Sequence, residues 1–264
     1  MSTLGFIGFG NMIQAIWQGG LQSGAFSAEN TKVCIRNPDT YADLFKKNKL
    51  RAANLNDTIQ SDILVIGIKP QQFNDFAKQC THHSFSHTLV VSIMAGISLK
   101  QLETVFGSET ACVRVMPNTP IALGHGVCGI SFNNNVSYAQ KKTALTLFSH
   151  SAYCYECPEA YLDALTGLSG SGPAFVYAIA DALAKAANPI PYPDALKLIA
   201  HTLQGAAAML LNNPNTEELI NQVRSPNGTT HAGLQRFELL HIDQALQNML
   251  QAAIQRSKEL SNPL

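Results

Sequence analysis

A chain of 264 residues with 46% hydrophobic content can bury a sizeable core, as one large domain or two smaller ones, without staples. Lys plus Arg and Asp plus Glu both number 18, so the net charge is zero and no field steers nucleic acid or an anionic membrane toward it. Met1 leads into Leu4-Gly5-Phe6-Ile7-Gly8 with no basic segment or cleavage-site pattern, and no long uncharged apolar run follows, so a cytoplasmic location off the membrane is expected.

Leu4 to Ile7 has the pattern of a short buried strand, and Gly8-Phe9-Gly10-Asn11-Met12 follows before the helical pattern Met12, Ile16, Leu21. In a strand, glycine turn and helix of this kind, Gly8 makes the turn and Gly10 lets a pyrophosphate approach the backbone. Ile13 stands where close helix–strand packing usually asks for Gly or Ala. A second strand, Lys32 to Ile35, ends at Arg36-Asn37, where a dinucleotide fold presents its side chain to the adenosine ribose. Arg36 suits a 2′-phosphate where an acid would hold the hydroxyls of NAD, so the chemistry leans toward NADP and leaves NAD open. Asp62 to Ile68 reads as a strand buried in a parallel sheet and is closed by Lys69-Pro70-Gln71. Leu89 to Gly96 and Ala111 to Met116 are further strands, the latter closed by Pro117-Asn118-Thr119-Pro120. This rhythm predicts a doubly wound α/β sheet whose ligand crevice lies at the carboxyl ends of its strands.

Gly126 to Phe132 and Ala152 to Glu156 add two extended segments, joined by a helix around Gln140 to Phe148. Cys34, Cys80, Cys112 and Cys128 stand singly as core thiols, and Cys154 and Cys157, three apart in an extended segment, point to opposite faces. His82, His83 and His87 sit in a polar loop, so no metal site is expected. From Glu159 onward apolar residues recur at helical spacing, which sets the domain boundary: a Rossmann-type dinucleotide-binding domain over 1–158 and an all-helical domain over 159–264. Gly170-Ser171-Gly172-Pro173 marks a helix start that serves either tight packing or ligand contact. The alanine-rich helix after Pro173 is thin enough to pack among other helices, including those of a second subunit. Ser225-Pro226-Asn227-Gly228-Thr229-Thr230-His231 then turns into a helix whose first amides form either an ordinary capped start or an anion site.

Taken in order, Gly8 to Met12, Lys69-Pro70-Gln71, Ser92 to Gly96, Arg114 to Pro120, and Leu168 to Pro173 with Ser225 to Thr230 give a chain that resembles pyrroline-5-carboxylate reductase along its whole length. The resemblance implies NAD(P)H-dependent reduction of 1-pyrroline-5-carboxylate to L-proline by a homodimer or higher homo-oligomer built through the helical domain. Gly8, Gly10, Asn11 and Met12 would cradle the pyrophosphate, and Arg36 and Asn37 would lie near the adenosine ribose. Lys69 and Pro70 with Met94, Ala95 and Gly96 would line the cofactor cleft, with Met116, Pro117 and Asn118 toward the nicotinamide. Ser225, Gly228, Thr229 and Thr230 would hold the substrate, with Thr230 hydrogen-bonded to the ring nitrogen as the catalytic contact. The chain departs from the family at Ile13 and at Asn227, which replaces the first glycine of Gly-Gly-Thr-Thr. Asn tolerates positive φ, so the loop is expected to keep its shape. His231, polar where the family is commonly aliphatic, is expected to be packed or exposed.

A hydroxy-acid dehydrogenase of similar plan would need a proton-handling Lys or His in the helical domain, and Lys185 and Lys197 carry no accompanying motif. A non-catalytic nucleotide-binding paralogue is the other alternative, which Ile13 and Asn227 leave open.

Overall fold

The computed structural model describes residues 2–22, 24 and 26–261. Six strands alternating with five helices follow the βα rhythm read above. They are β1 (Leu4–Ile7), α1 (Asn11–Gln22), β2 (Thr31–Cys34), α2 (Ala42–Asn48), β3 (Arg51–Ala52), α3 (Leu55–Ile59), β4 (Ile63–Ile66), α4 (Phe73–Cys80), β5 (Leu89–Ser92), α5 (Leu99–Phe106) and β6 (Ala111–Pro117). Then come β7 (Gly126–Phe132), α6 (Tyr138–Ser149), β8 (Ala152–Glu156) and α7 (Leu162–Leu165), which runs into a π-helical turn, Thr166–Gly170. The remaining helices are α8 (Gly172–Ala186), α9 (Tyr192–Asn212), α10 (Thr216–Val223), α11 (Thr229–Leu239) and α12 (Ile242–Ser261).

The strands form one sheet in the order β3-β2-β1-β4-β5-β6-β7-β8. The order reverses beside β1, which is where a doubly wound sheet opens its ligand crevice. The neighbours from β3 to β6 are parallel, whereas β7 runs antiparallel to β6 and carries β8 parallel to itself. A two-residue β3 and the reversal at β7 are features that the strand patterns did not announce. Side chains alternate across the sheet and feed two cores. Phe6, Val65 and Val91 point to the face covered by Ile16 and Trp17 of α1 and Leu147 and Phe148 of α6. Ile7, Leu64, Ile66 and Val90 point to the face covered by Phe73 and Phe76 of α4 and Leu102 and Phe106 of α5.

The chain divides into two compact units, one of Met1–Ser171 with Ala253–Leu264 and one of Gly172–Ala252. The division lies later than the change from strand to helix at 158/159, because α7 and its π-helical turn pack on the sheet. A Cβ on Gly129 of β7 would lie 2.5 Å from Leu165 and 3.0 Å from Leu162. The second unit is helical throughout, and its buried apolar side chains among the described residues are Ala180, Ala184 and Ala195. Val176, Tyr177, Leu183, Leu198 and Leu211 are exposed on α8 and α9, so much of the apolar surface of these two packed helices is left uncovered. Among the described residues no helix is long and apolar enough to cross a membrane.

Ile13 is fully buried where a small residue usually sits, and Gly67, just past β4, explains how. A Cβ on Gly67 would lie 2.5 Å from Ile13 Cγ1, so the space usually left by a small helix residue is here left by the strand. We predict that Gly67→Ala destabilises the protein by about 1–3 kcal/mol through overpacking. Adding Ile13→Ala relieves the clash, and denaturant melts of the two single variants and the double variant will show a combined cost below the sum of the separate ones. Additive costs would contradict the pairing.

Candidate active site

A cavity of about 560 Å³ opens at the carboxyl ends of β1, β2 and β4. Its wall includes Gly8 and Gly10 after β1, Arg36 and Asn37 after β2, and Lys69 after β4, whereas Asn11, Met12 and Pro70, also expected from the sequence, are not among its lining residues. Gly8 N–H donates to Cys34 O at 2.9 Å, which ties the first turn to the end of β2. Gln14 Nε2 donates to Phe9 O at 2.8 Å and holds the middle of the glycine turn. At Gly10 a Cβ would meet nothing within 4 Å, so the backbone there faces open space. The amides of Asn11, Met12 and Ile13, in the first turn of α1, lack intrahelical acceptors and lie at the positive end of the helix dipole. Open backbone, free amides and an exposed Arg36 fit a dinucleotide, its pyrophosphate and a 2′-phosphate.

Other residues of the wall escaped the sequence reading. Thr40 lies in the 3₁₀ turn Pro38–Tyr41, and Gln72 in the 3₁₀ turn Pro70–Gln72 that Pro70 opens. Leu55, Phe76 and Gln79 reach the cavity from α3 and α4. A strand-end motif marks where a crevice begins, whereas these side chains arrive from turns and helices placed by long-range packing. Tyr41 is anchored by an edge contact with Phe9, ring centroids 5.8 Å apart.

The expected contacts beyond β4 do not line this cavity, and several are engaged in the fold. Met94 is buried in the core on the α4 and α5 side, Ala95 is half-buried, and Gly96 is covered by the end of α12. Half-buried Met116 approaches the π-helical turn, since a Cβ on Gly170 would lie 3.1 Å from Met116 Cε. Pro117 ends β6 and is buried. Both ends of the Asn118 amide are used, Nδ2 donating to Ser169 O at 3.0 Å and Oδ1 accepting from Val127 N at 2.8 Å. Asn118 thus binds the end of β6 to the π-helical turn and to β7.

The Ser225 to Thr230 loop belongs to the second unit. Asn227 takes φ 56°, the left-handed conformation that a glycine would supply at no cost and that Asn accepts with a local hydrogen-bonding side chain. Gly228 N–H donates to Ser225 O at 3.1 Å, and a Cβ on Gly228 would sit 2.2 Å from Ser225 Oγ, so a side chain here would force the Ser225 hydroxyl out of its position. Thr229 begins α11 and Gly228 caps it without a side-chain hydrogen bond. Elsewhere Asn54, Ser98, Ser137 and Asn215 do cap the helices they precede. The hydroxyl-rich motif therefore leaves the first amides of α11 uncapped. His231 is half-buried beside them.

Comparison with known proteins bears on both units. Residues 159–260 match the family model described as pyrroline-5-carboxylate reductase dimerisation, and residues 3–96 match one described as NADP oxidoreductase, coenzyme F420-dependent. Pyrroline-5-carboxylate reductase of Methanosarcina acetivorans is 36% identical over 262 residues, covering 97% of each chain. The enzyme of Glycine max is 34% identical, covering 98% of this chain and 96% of its own. The crystal structure of the Plasmodium falciparum pyrroline carboxylate reductase with NADP bound superposes with a TM-score of 0.90 at 27% identity, covering 99% of this chain and 98% of that one. With identity at this level along its whole length, the chain belongs to the pyrroline-5-carboxylate reductase family.

Proposed function

We propose that this protein reduces 1-pyrroline-5-carboxylate to L-proline with NADPH. The observation that carries the substrate assignment is the uncapped start of α11 behind Ser225 to Thr230, in a chain of this family. The substrate is a cyclic imine bearing a carboxylate. Once its nitrogen is protonated, its carbon is electrophilic enough to need no acid or base of high reactivity, which agrees with a motif of amides and hydroxyls only.

NADPH, when bound, supplies the hydride. The chain's own residues bind and orient. The first-turn amides of α1 with Gly8 and Gly10 receive the pyrophosphate, and Arg36 with Asn37 receives the 2′-phosphate and ribose. Lys69 lines the same cavity as Arg36, and Pro70 opens the turn that follows it. The amides that open α11, with Ser225 and Thr229, receive the substrate carboxylate at the positive end of the helix dipole. The Thr230 hydroxyl hydrogen-bonds the ring nitrogen and fixes the imine carbon in place, so its contribution is orientation and charge stabilisation. Gly228 serves this loop by leaving room for Ser225 Oγ. The reductase works as a homodimer or larger homo-oligomer through its helical unit, whose exposed apolar faces ask for a second copy.

The reading is tested by steady-state oxidation of reduced nicotinamide with pyrroline-5-carboxylate, run in parallel with NADPH and NADH. Turnover with NADPH, and weaker use of NADH, is the expected result, and no substrate-dependent oxidation would overturn the assignment. Thr230→Ala should lower kcat by about a hundredfold, the loss typical of one transition-state donor, with NADP binding unchanged in a calorimetric titration. Arg36→Ala should raise KM for NADPH about tenfold, the worth of one charge-assisted contact, and leave KM for NADH as it was. An equal effect on both cofactors would remove Arg36 from 2′-phosphate recognition.

A further inference from the structure

We propose that the last turn of α12 is a positioning element for the nicotinamide half of the cofactor site, acting through a ring of contacts centred on Arg114. The proposal rests on the reading that the carboxyl ends of β5 and β6 carry that half of the cofactor, on the side of β1 opposite to Arg36.

The ring closes residue by residue. Gly96, four residues past β5, has φ +76°, and a Cβ there would lie 2.6 Å from Leu260 O and 3.2 Å from Ser261 N. The turn after β5 therefore runs directly against the backbone of the last turn of α12, and only a glycine allows both the approach and the dihedral. Ser257 Oγ donates to Asp163 Oδ1 at 2.8 Å, and Ser261 Oγ, one helical turn on and on the same face, shares its proton between Asp163 Oδ1 at 3.2 Å and Ser257 O at 3.0 Å. Asp163 Oδ1 lies 4.0 Å from Arg114 Nη2, and Arg114 Nη1 donates to Glu159 Oε1 at 3.0 Å. The same Glu159 oxygen accepts the amide of Leu99 at 2.8 Å, and Leu99 opens α5 immediately after the turn that holds Gly96.

Both ends of the β5–α5 turn are thus fixed, Gly96 by the α12 backbone and Leu99 by Glu159. The centre of the ring is a guanidinium whose side chain is only 7% exposed, in β6 and two residues before Met116, hence on the same side of the sheet. Ser257 is itself buried. The buried guanidinium is hydrogen-bonded to Glu159 and lies within ion-pair distance of Asp163, so displacing Asp163 weakens the charge balance around Arg114. Ordinary packing of a terminal helix requires apolar contact and would be served as well by alanine at 257 and 261. The Ser257 hydroxyl, seconded by that of Ser261, instead sets where Asp163, and through it Arg114 and β6, come to rest.

The test uses the full-length protein with Ser257→Ala/Ser261→Ala, with Ser257→Thr as the conservative variant that keeps a hydroxyl, and with Asp163→Asn. Calorimetric titrations with NADP and with adenosine 2′,5′-bisphosphate, which represents the adenosine half alone, separate the two ends of the site. In the double alanine variant NADP affinity should fall about tenfold while affinity for adenosine 2′,5′-bisphosphate stays at the wild-type value, and Ser257→Thr should bind NADP as wild type does. Asp163→Asn should reproduce the selective loss. A lowered melting temperature with both affinities unchanged, or an equal loss for both ligands, would overturn the positioning role. A wild-type protein that binds NADP but does not consume NADPH with pyrroline-5-carboxylate would refute the proposed reaction and leave this comparison of affinities decisive for the ring. Wild-type protein that binds no NADP would refute both.

Discussion

The helical unit has no interior of its own, and much of the structure's logic follows from that. Burying a large apolar side chain is worth about 1.5–3 kcal/mol relative to leaving it in water, and α8 and α9 leave Val176, Tyr177, Leu183, Leu198 and Leu211 exposed. Alanines hold the helices against each other, at Ala180, Ala184 and Ala195, and cannot replace a core. A patch of this extent on a helical bundle marks an association surface, and the matching family model for residues 159–260 is a dimerisation model. The substrate loop proposed here sits on α11, within this unit, so the order of that loop depends on what completes the helices.

Ile13 and Asn227 are the two positions where the chain departs from its family's pattern, and each is accommodated locally. At Ile13 bulk on the helix is matched by a missing side chain at Gly67, so the glycine turn keeps its open backbone at Gly10. At Asn227 a residue able to adopt φ 56° takes the place of glycine, while Gly228, where a Cβ would collide with Ser225 Oγ, is retained. A non-catalytic relative would have lost its site at these two positions. Neither closes the cavity nor removes the uncapped start of α11.

The parts of this architecture that were legible in the sequence are the local ones. Glycine after a buried strand, Arg36 at the end of β2 and the Pro-Asn-Gly turn before Thr229 each state their geometry within a few residues. What was not legible depends on contacts distant in the chain. Thr40, Gln72 and Gln79 join the cavity only because α2, α3 and α4 pack where they do. Asn118 reads as a polar residue at a strand end, yet its partners Val127 and Ser169 are found only once β7 and the π-helical turn are in place. Met94 shares that strand-end position and is claimed by the core. The compact units, divided after Ser171 and again after Ala252, depend likewise on packing, since helical periodicity begins at 159 while α7 still packs on the sheet.

The account's central claim is that a reductase of this family is completed by a second copy of its own coreless helical unit. Sedimentation velocity over a dilution series, with NADPH oxidation by pyrroline-5-carboxylate measured on the same samples, tests it most directly. The account predicts that specific activity stays constant while the dimer or a larger assembly persists, and falls in step with the appearance of monomer. A monomer with full specific activity would contradict it.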